Sequence, residues 1–381
     1  MRRRQWLHWG CACCAAVTGL AKAQSPWVPP PRFTRPDVAS EEGGLWALMD
    51  REETRVRRSP FCMHETALNQ YLSEIACKLG GDHCPDVRVY AVRTPYFNAS
   101  MAPNGMMQVW SGLLLRMENE AQLAAIMAHE IGHYLQRHSL EQLRDVKARS
   151  AFATAMIAFG IYGLAGQLVA LGGAYAFSRD QERDADRISI ELMRKTGYDA
   201  REAAKVWADL LAELRANPAV DPTHESVLFA THPPSDERRD ELQRLSVHDD
   251  GQTSEAAYKA QLAPLRFGLL EDEIKRGRFD ESVVLLDRLL AREPEHGDLL
   301  YFRGEARRRR NGAGDAALAM ADYEAAVRSG QAPAVTHRSM AAVYRSMGQG
   351  EQARAAWQLY LQAAPDAPDA ALIRQYLEEA Q

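Results

Sequence analysis

The pentapeptide His129-Glu130-Ile131-Gly132-His133 narrows the choices open to this 381-residue chain. On a helix its two histidines, four residues apart, lie on one face a turn from each other and can share a metal ion. Glu130, beside the first, is placed to take a proton from a water at that metal. Two imidazoles for zinc and a glutamate as general base are the components of metal-assisted hydrolysis. The flanking sequence predicts the helix: Glu120–Leu135 (EAQLAAIMAHEIGHYL) is rich in strong helix formers and holds no proline, with Leu123, Ile126, Met127 and Ile131 at helical spacing. His138, five residues past His133, turns off the ligand face of a continuing helix and reads as a surface residue.

A hydrolytic zinc site takes a third protein ligand and keeps a fourth position for water. The segment Ser178–Asp186 (SRDQERDAD) supplies the candidate, with Glu182 and Asp186 again four apart on a predicted helix. Glu182 would ligate zinc, and Asp186 would orient a histidine ligand and fix its tautomer. The alternative is an exposed, ion-paired face, since Arg179, Arg183 and Arg187 share the stretch.

His-Glu-x-x-His followed by Glu-x-x-x-Asp resembles a gluzincin. The finer pattern resembles the metallopeptidase family of HtpX and the CAAX prenyl endopeptidases, and most of all its soluble periplasmic BepA-type members. Asn98-Ala99-Ser100-Met101-Ala102-Pro103-Asn104-Gly105, Ser111-Gly112-Leu113-Leu114, Gly197-Tyr198-Asp199 and Thr231-His232-Pro233-Pro234 with Arg238 match further family motifs, across about residues 40–245. The resemblance implies a mainly α, zincin-like protease domain with a small β-sheet. It implies one Zn2+ per chain on His129, His133 and Glu182, with Glu130 as general base. It gives His232 a role as oxyanion stabiliser or as a removable fourth zinc ligand that keeps the enzyme latent. Asn98, Ala99 and Ser100 read as an edge strand, paired with Met106–Val109 around a Pro-Asn-Gly turn, that could hold an extended peptide by its main chain. Arg238 contacts substrate or pairs with a carboxylate and is left outside the core site.

The N-terminus carries Arg2, Arg3 and Arg4, an apolar stretch from Trp6 to Leu20, and Ala21-Lys22-Ala23 as a cleavage site; residues 1–23 read as a secretory signal peptide. A Pro-rich extended segment follows over 24–40. Removing the signal takes four positive charges away, so the net charge falls from −5 to −9, which argues against nucleic acid as a partner. Of the six cysteines, Cys62, Cys77 and Cys84 remain, and an oxidising compartment permits Cys77 and Cys84 to pair across a short loop. Metal binding by Cys77, His83 and Cys84 is the alternative. Residues 151–177 form 27 uncharged residues with five glycines. That is long enough to span a membrane, but His133 and Glu182 flank it and must reach one metal. It therefore reads as a hairpin, buried in the domain or dipping into a membrane surface.

The polar stretch 246–255 reads as a linker between a metallopeptidase domain (41–245) and a helical region (256–381). In the latter, Gly277-Arg278-Phe279-Asp280-Glu281 and Gly348-Gln349-Gly350-Glu351-Gln352 recur at an offset of 71, about twice a tetratricopeptide period, with a degenerate repeat between. Leu286, Tyr323 and Trp357 then fall at equivalent packing sites. This predicts a tetratricopeptide-like α-solenoid, a partner-binding surface. Arg307–Arg310 reads as a basic run at a helix end, solvated or else meeting an acidic partner.

The expected function is periplasmic zinc-dependent endoproteolysis of misfolded or stalled envelope proteins, in quality control of outer-membrane protein assembly. The repeats would recruit substrates or assembly machinery. The alternative is a chaperone or scaffold for that assembly with a mostly latent protease site. A prenyl-peptide protease lacks the membrane spans that class needs.

Overall fold

A computed structural model of the chain describes residues 27–148, 177–217 and 232–379. The signal peptide and nearly all of the uncharged 151–177 segment lie outside the described residues. Among the described residues the architecture is helical, with one small sheet. The first part runs α1 (Glu41–Arg58), α2 (Thr66–Gly80), β1 (Arg88–Val92), β2 (Ala99–Met101), β3 (Met106–Trp110), α3 (Ser111–Arg116), α4 (Glu120–Leu135), α5 (His138–Ala148), α6 (Arg179–Lys195), α7 (Arg201–Arg215) and α8 (Asp236–Ser246). None of the described helices is long and apolar enough to cross a membrane.

Helix α4 is the axis of this part. Asn119 caps it, its side chain accepting from the Gln122 N–H at 2.9 Å, and every residue from Ala121 to Leu135 is buried. A helix apolar on all sides needs neighbours on all sides. Helices α2, α6 and α7 and strand β2 supply them. Helix α6 approaches most closely, and Gly132 is why. A Cβ there would meet the Ala185 carbonyl oxygen at 3.2 Å. On α6 the buried residues Glu182, Ala185, Asp186, Ser189 and Met193 recur every three or four positions, so the stripe that packs on α4 also carries both candidate carboxylates inward.

The sheet order is β1-β3-β2, with β3 parallel to β1 and antiparallel to β2. The pairing Ala99↔Val109 to Met101↔Met107 is the one the Pro-Asn-Gly turn predicts, and β2 lies at the edge, packed on α4. Cys77 and Cys84 are joined by a disulfide at the end of α2, and Cys62 is a free, half-buried thiol. His83 lies within hydrogen-bond reach of the Pro30 carbonyl (3.0 Å), so the Cys-His alternative for a metal falls away.

The remaining helices are α9 (Glu255–Lys275), α10 (Phe279–Arg292), α11 (Gly297–Arg310), α12 (Asp315–Arg328), α13 (Val335–Ser346), α14 (Gly350–Ala363) and α15 (Ala370–Glu379). The hairpins begin at 279, 315 and 350, close to the period read from the sequence. Leu286, Tyr323 and Trp357 are buried one per hairpin. Tyr323 lies over Gly304, where a Cβ would sit 2.5 Å from its ring. The basic run is not simply solvated: Arg307 pairs with Asp322 at 2.7 Å and Arg310 with Asp315 at 2.7 Å. Each arginine sits at the end of α11, where the next helix brings acidic side chains that local sequence does not reveal.

These helices share an apolar core with the first part. A buried ionic network crosses between them. Arg116 of α3, 4% exposed, reaches Glu213 of α7 (2.7 Å) and Glu273 of α9 (3.1 Å). Glu273 also accepts from Ser282 of α10 (2.8 Å) and from Arg276 (2.8 Å). Removing Arg116 leaves the buried Glu213 and Glu273 with one arginine each, Arg288 and Arg276, and a dry gap between them. Arg116→Ala should therefore lose about 3–5 kcal/mol of unfolding free energy, measured by chemical denaturation; a loss below about 1 kcal/mol would show that water reaches the network.

Candidate metal centre

Four buried side chains converge where α4, α6 and the start of α8 meet: His129, His133, Glu182 and His232, with one potential ligand atom of each within 4.8 Å of all the others. His129 Nε2 lies 3.1 Å from His133 Nε2 and 3.3 Å from His232 Nδ1. Glu182 Oε1 lies 2.6 Å from His232 Nδ1 and 3.4 Å from His133 Nε2. Ligands bound tetrahedrally at about 2.0–2.1 Å stand roughly 3.3 Å apart, so three of these four separations are already those of a metal site.

The charges fit a cation as well. Around the group, Glu130, Glu182 and Asp186 oppose one guanidinium, Arg238, and all four are buried. With the carboxylates ionised and the imidazoles neutral, as they are when they ligate a metal, that leaves two uncompensated negative charges, which a divalent ion balances; a buried charge without a partner is costly. Glu130 Oε1 is buried with no hydrogen-bond partner; His232 Nε2 is 3.8 Å away. Burial raises the pKa of Glu130. Burial acts the same way on Glu182, but His232 and Arg238 outweigh it and hold that carboxyl well below its usual range. Burial drives the pKa of His133 far down, keeping the ring neutral and its lone pair available.

The surroundings orient these groups. His129 Nδ1 is 2.9 Å from Asp186 Oδ1, the role the spacing assigns to Asp186. Arg238 lies in this core, against the reading that set it aside. Its Nε donates to Asp186 at 2.7 Å, its Nη1 is 2.9 Å from Glu182 Oε2, and its guanidinium stacks 4.0 Å over the Trp207 ring. His138 is no surface residue: it is 4% exposed, with its Nδ1 2.9 Å from His133 Nδ1. Helix α4 ends at Leu135, and Arg137 turns the chain through a left-handed φ of 58°, so helical extrapolation past His133 fails. Phe177, absent from the sequence reading, stacks on His133 at 4.0 Å between ring centroids and lies 5.0 Å from His232. No local signal distinguishes it from any other aromatic after an apolar stretch. Asn98 and Ala99 are buried and Ser100 half-buried, at the start of the edge strand that packs on α4.

Residues 63–246, which hold the whole constellation, match the model of peptidase family M48. They form an M48 domain. The chain is similar to the beta-barrel assembly-enhancing protease of Escherichia coli, 26% identical over 223 residues (52% of this chain, 44% of that one). It is similar to the protein of the same name from Yersinia pestis, 24% over 328 residues (72% and 66%), and to the metalloprotease YcaL of Escherichia coli, 31% over 176 residues (44% and 65%). The chain thus spans between 44% and 66% of the length of these relatives. The match with the Yersinia protein is longer than the M48 segment, so the likeness extends beyond it.

Within the M48 domain the Asp186–His129 pair should be felt in metal affinity. Asp186→Ala is expected to weaken zinc binding about 10–100-fold, read by competition with a chromophoric chelator. Unchanged affinity would remove Asp186 from the site.

Proposed function

We propose that this protein is a zinc-dependent endopeptidase of the bacterial periplasm that cleaves misfolded or stalled envelope proteins during outer-membrane protein assembly. The observation that carries the reading is the unpartnered, buried Glu130 Oε1 beside three imidazoles and a carboxylate. Relatives whose names state beta-barrel assembly enhancement support the setting. So does the Cys77–Cys84 disulfide, which suits an oxidising compartment.

His129, His133 and Glu182 would hold zinc, which when bound acidifies a water and polarises the scissile carbonyl. Glu130 takes the proton from that water and passes it to the leaving amine. Its raised pKa suits a group that must hold the proton between the two steps. Asp186 and Arg238 keep His129 and Glu182 in place through the contacts described above. Asn98, Ala99 and Ser100 lie where an extended substrate can add to the sheet edge, its main chain pairing with β2. The hairpins of 256–381 offer a surface for substrates or for assembly partners.

His232 gives the second reading. Its Nδ1 stands among the candidate ligand atoms, and as a fourth ligand it would close that position against water. A resting enzyme held this way is latent, and binding through the repeats then carries much of its work as a chaperone or scaffold. Either way, Glu130→Gln should lower cleavage of an unfolded protein substrate by about 10²-fold or more while still binding one zinc per chain; cleavage within tenfold of wild type would exclude Glu130 as the base. His232→Ala should raise basal cleavage if the histidine closes the site, whereas a fall would make it the oxyanion donor.

A further inference from the structure

The two metal-facing histidines of α4 differ in what holds their other nitrogen. His129 Nδ1 has the Asp186 carboxylate at 2.9 Å. His133 Nδ1 has the imidazole of His138, Nδ1 to Nδ1, at 2.9 Å. We propose that His138 is a positioning residue for His133: its Nδ1 accepts a hydrogen bond from His133 Nδ1–H and keeps His133 Nε2 turned toward the metal. The inference rests on the reading of His129, His133 and Glu182 as the ligand set.

Proton counting gives the direction of the bond. A neutral imidazole carries one N–H. If the lone pair of His133 Nε2 serves the metal, the ring's proton is on Nδ1. The contact then has a donor on the His133 side, and His138 Nδ1 must be the acceptor. His138's own proton lies on Nε2, away from His133. A doubly protonated His138 would set two donors against each other across 2.9 Å.

The chain is shaped to make this contact. Five residues along a continuous helix would rotate His138 well away from His133. Instead α4 stops, Arg137 takes a φ of 58°, and α5 begins at His138. Such a conformation is uncommon for a residue with a Cβ. It is held from outside: Arg137 pairs with Glu42 of α1 and lies 5.3 Å over the ring of Phe33 in the N-terminal extended segment. The His138 ring meets His133 edge-on, 5.0 Å between centroids at 71°, and the neighbouring Phe177 closes over the pair. The arrangement presents a nitrogen to His133 and buries the rest of the ring.

The acceptor is chemically specific, so it can be separated from packing. His138→Leu keeps apolar volume and removes the acceptor. His138→Asn restores an acceptor oxygen close to where Nδ1 stands. Zinc affinity of the full chain is measured by competition with a chromophoric chelator, with the metal-free melting temperature read alongside. The expected result is about a 10–100-fold loss in the Leu variant and affinity within about threefold of wild type in the Asn variant. A Leu variant that binds zinc like wild type overturns the proposal, and so does an Asn variant as weak as Leu, because packing and not the acceptor is then what matters. Wild-type binding that His133→Ala abolishes leaves the ligand set standing whichever way His138 falls. A wild type that takes up no stoichiometric zinc overturns both.

Discussion

Three carboxylates and one guanidinium are buried together between α4 and α6, and the rest of the M48 domain is arranged to tolerate that. Glu130, Glu182 and Asp186 cannot remain dry and ionised against Arg238 alone without a large penalty. A divalent ion removes the imbalance, and its removal should be felt as lost stability as well as lost chemistry. The surrounding features then have a common cause. Gly132 lets α6 come close enough for Glu182 to reach the histidines. Arg238, stacked on Trp207, spans both carboxylates of α6 so that neither moves independently.

The same logic operates at a distance. Arg116, Glu213 and Glu273 are as deeply buried as the metal group but are fully paired, and they join the helices that follow residue 255 to the protease fold. In one cluster each buried carboxylate meets guanidinium groups, Glu213 those of Arg116 and Arg288 and Glu273 those of Arg116 and Arg276; in the other, three carboxylates share Arg238 and an oxygen of Glu130 has no partner. Burial alone does not distinguish them. The ratio of carboxylates to guanidinium groups does.

Much of the site was legible because its signals are local. Helix Glu120–Leu135 has the bounds its composition predicts, and i to i+4 spacing aligns both His129 with His133 and Glu182 with Asp186. The period of the C-terminal hairpins could likewise be read from the recurring segments that begin at Gly277 and Gly348. What escaped is what depends on where the chain turns. His138 was misplaced because nothing in the sequence marks Arg137 as left-handed; the partners that hold it there, Glu42 and Phe33, are about a hundred residues away. Arg238 was undervalued because its carboxylates belong to another helix. Arg307 and Arg310 looked solvated for the same reason.

The charge imbalance of this pocket calls for one bound ion. Anomalous diffraction at the zinc absorption edge, on crystals of the purified full chain, tests it most directly. A single peak is expected about 2.0–2.2 Å from a nitrogen of His129, a nitrogen of His133 and a carboxylate oxygen of Glu182. No peak after zinc loading, or a peak that avoids Glu182, would contradict it.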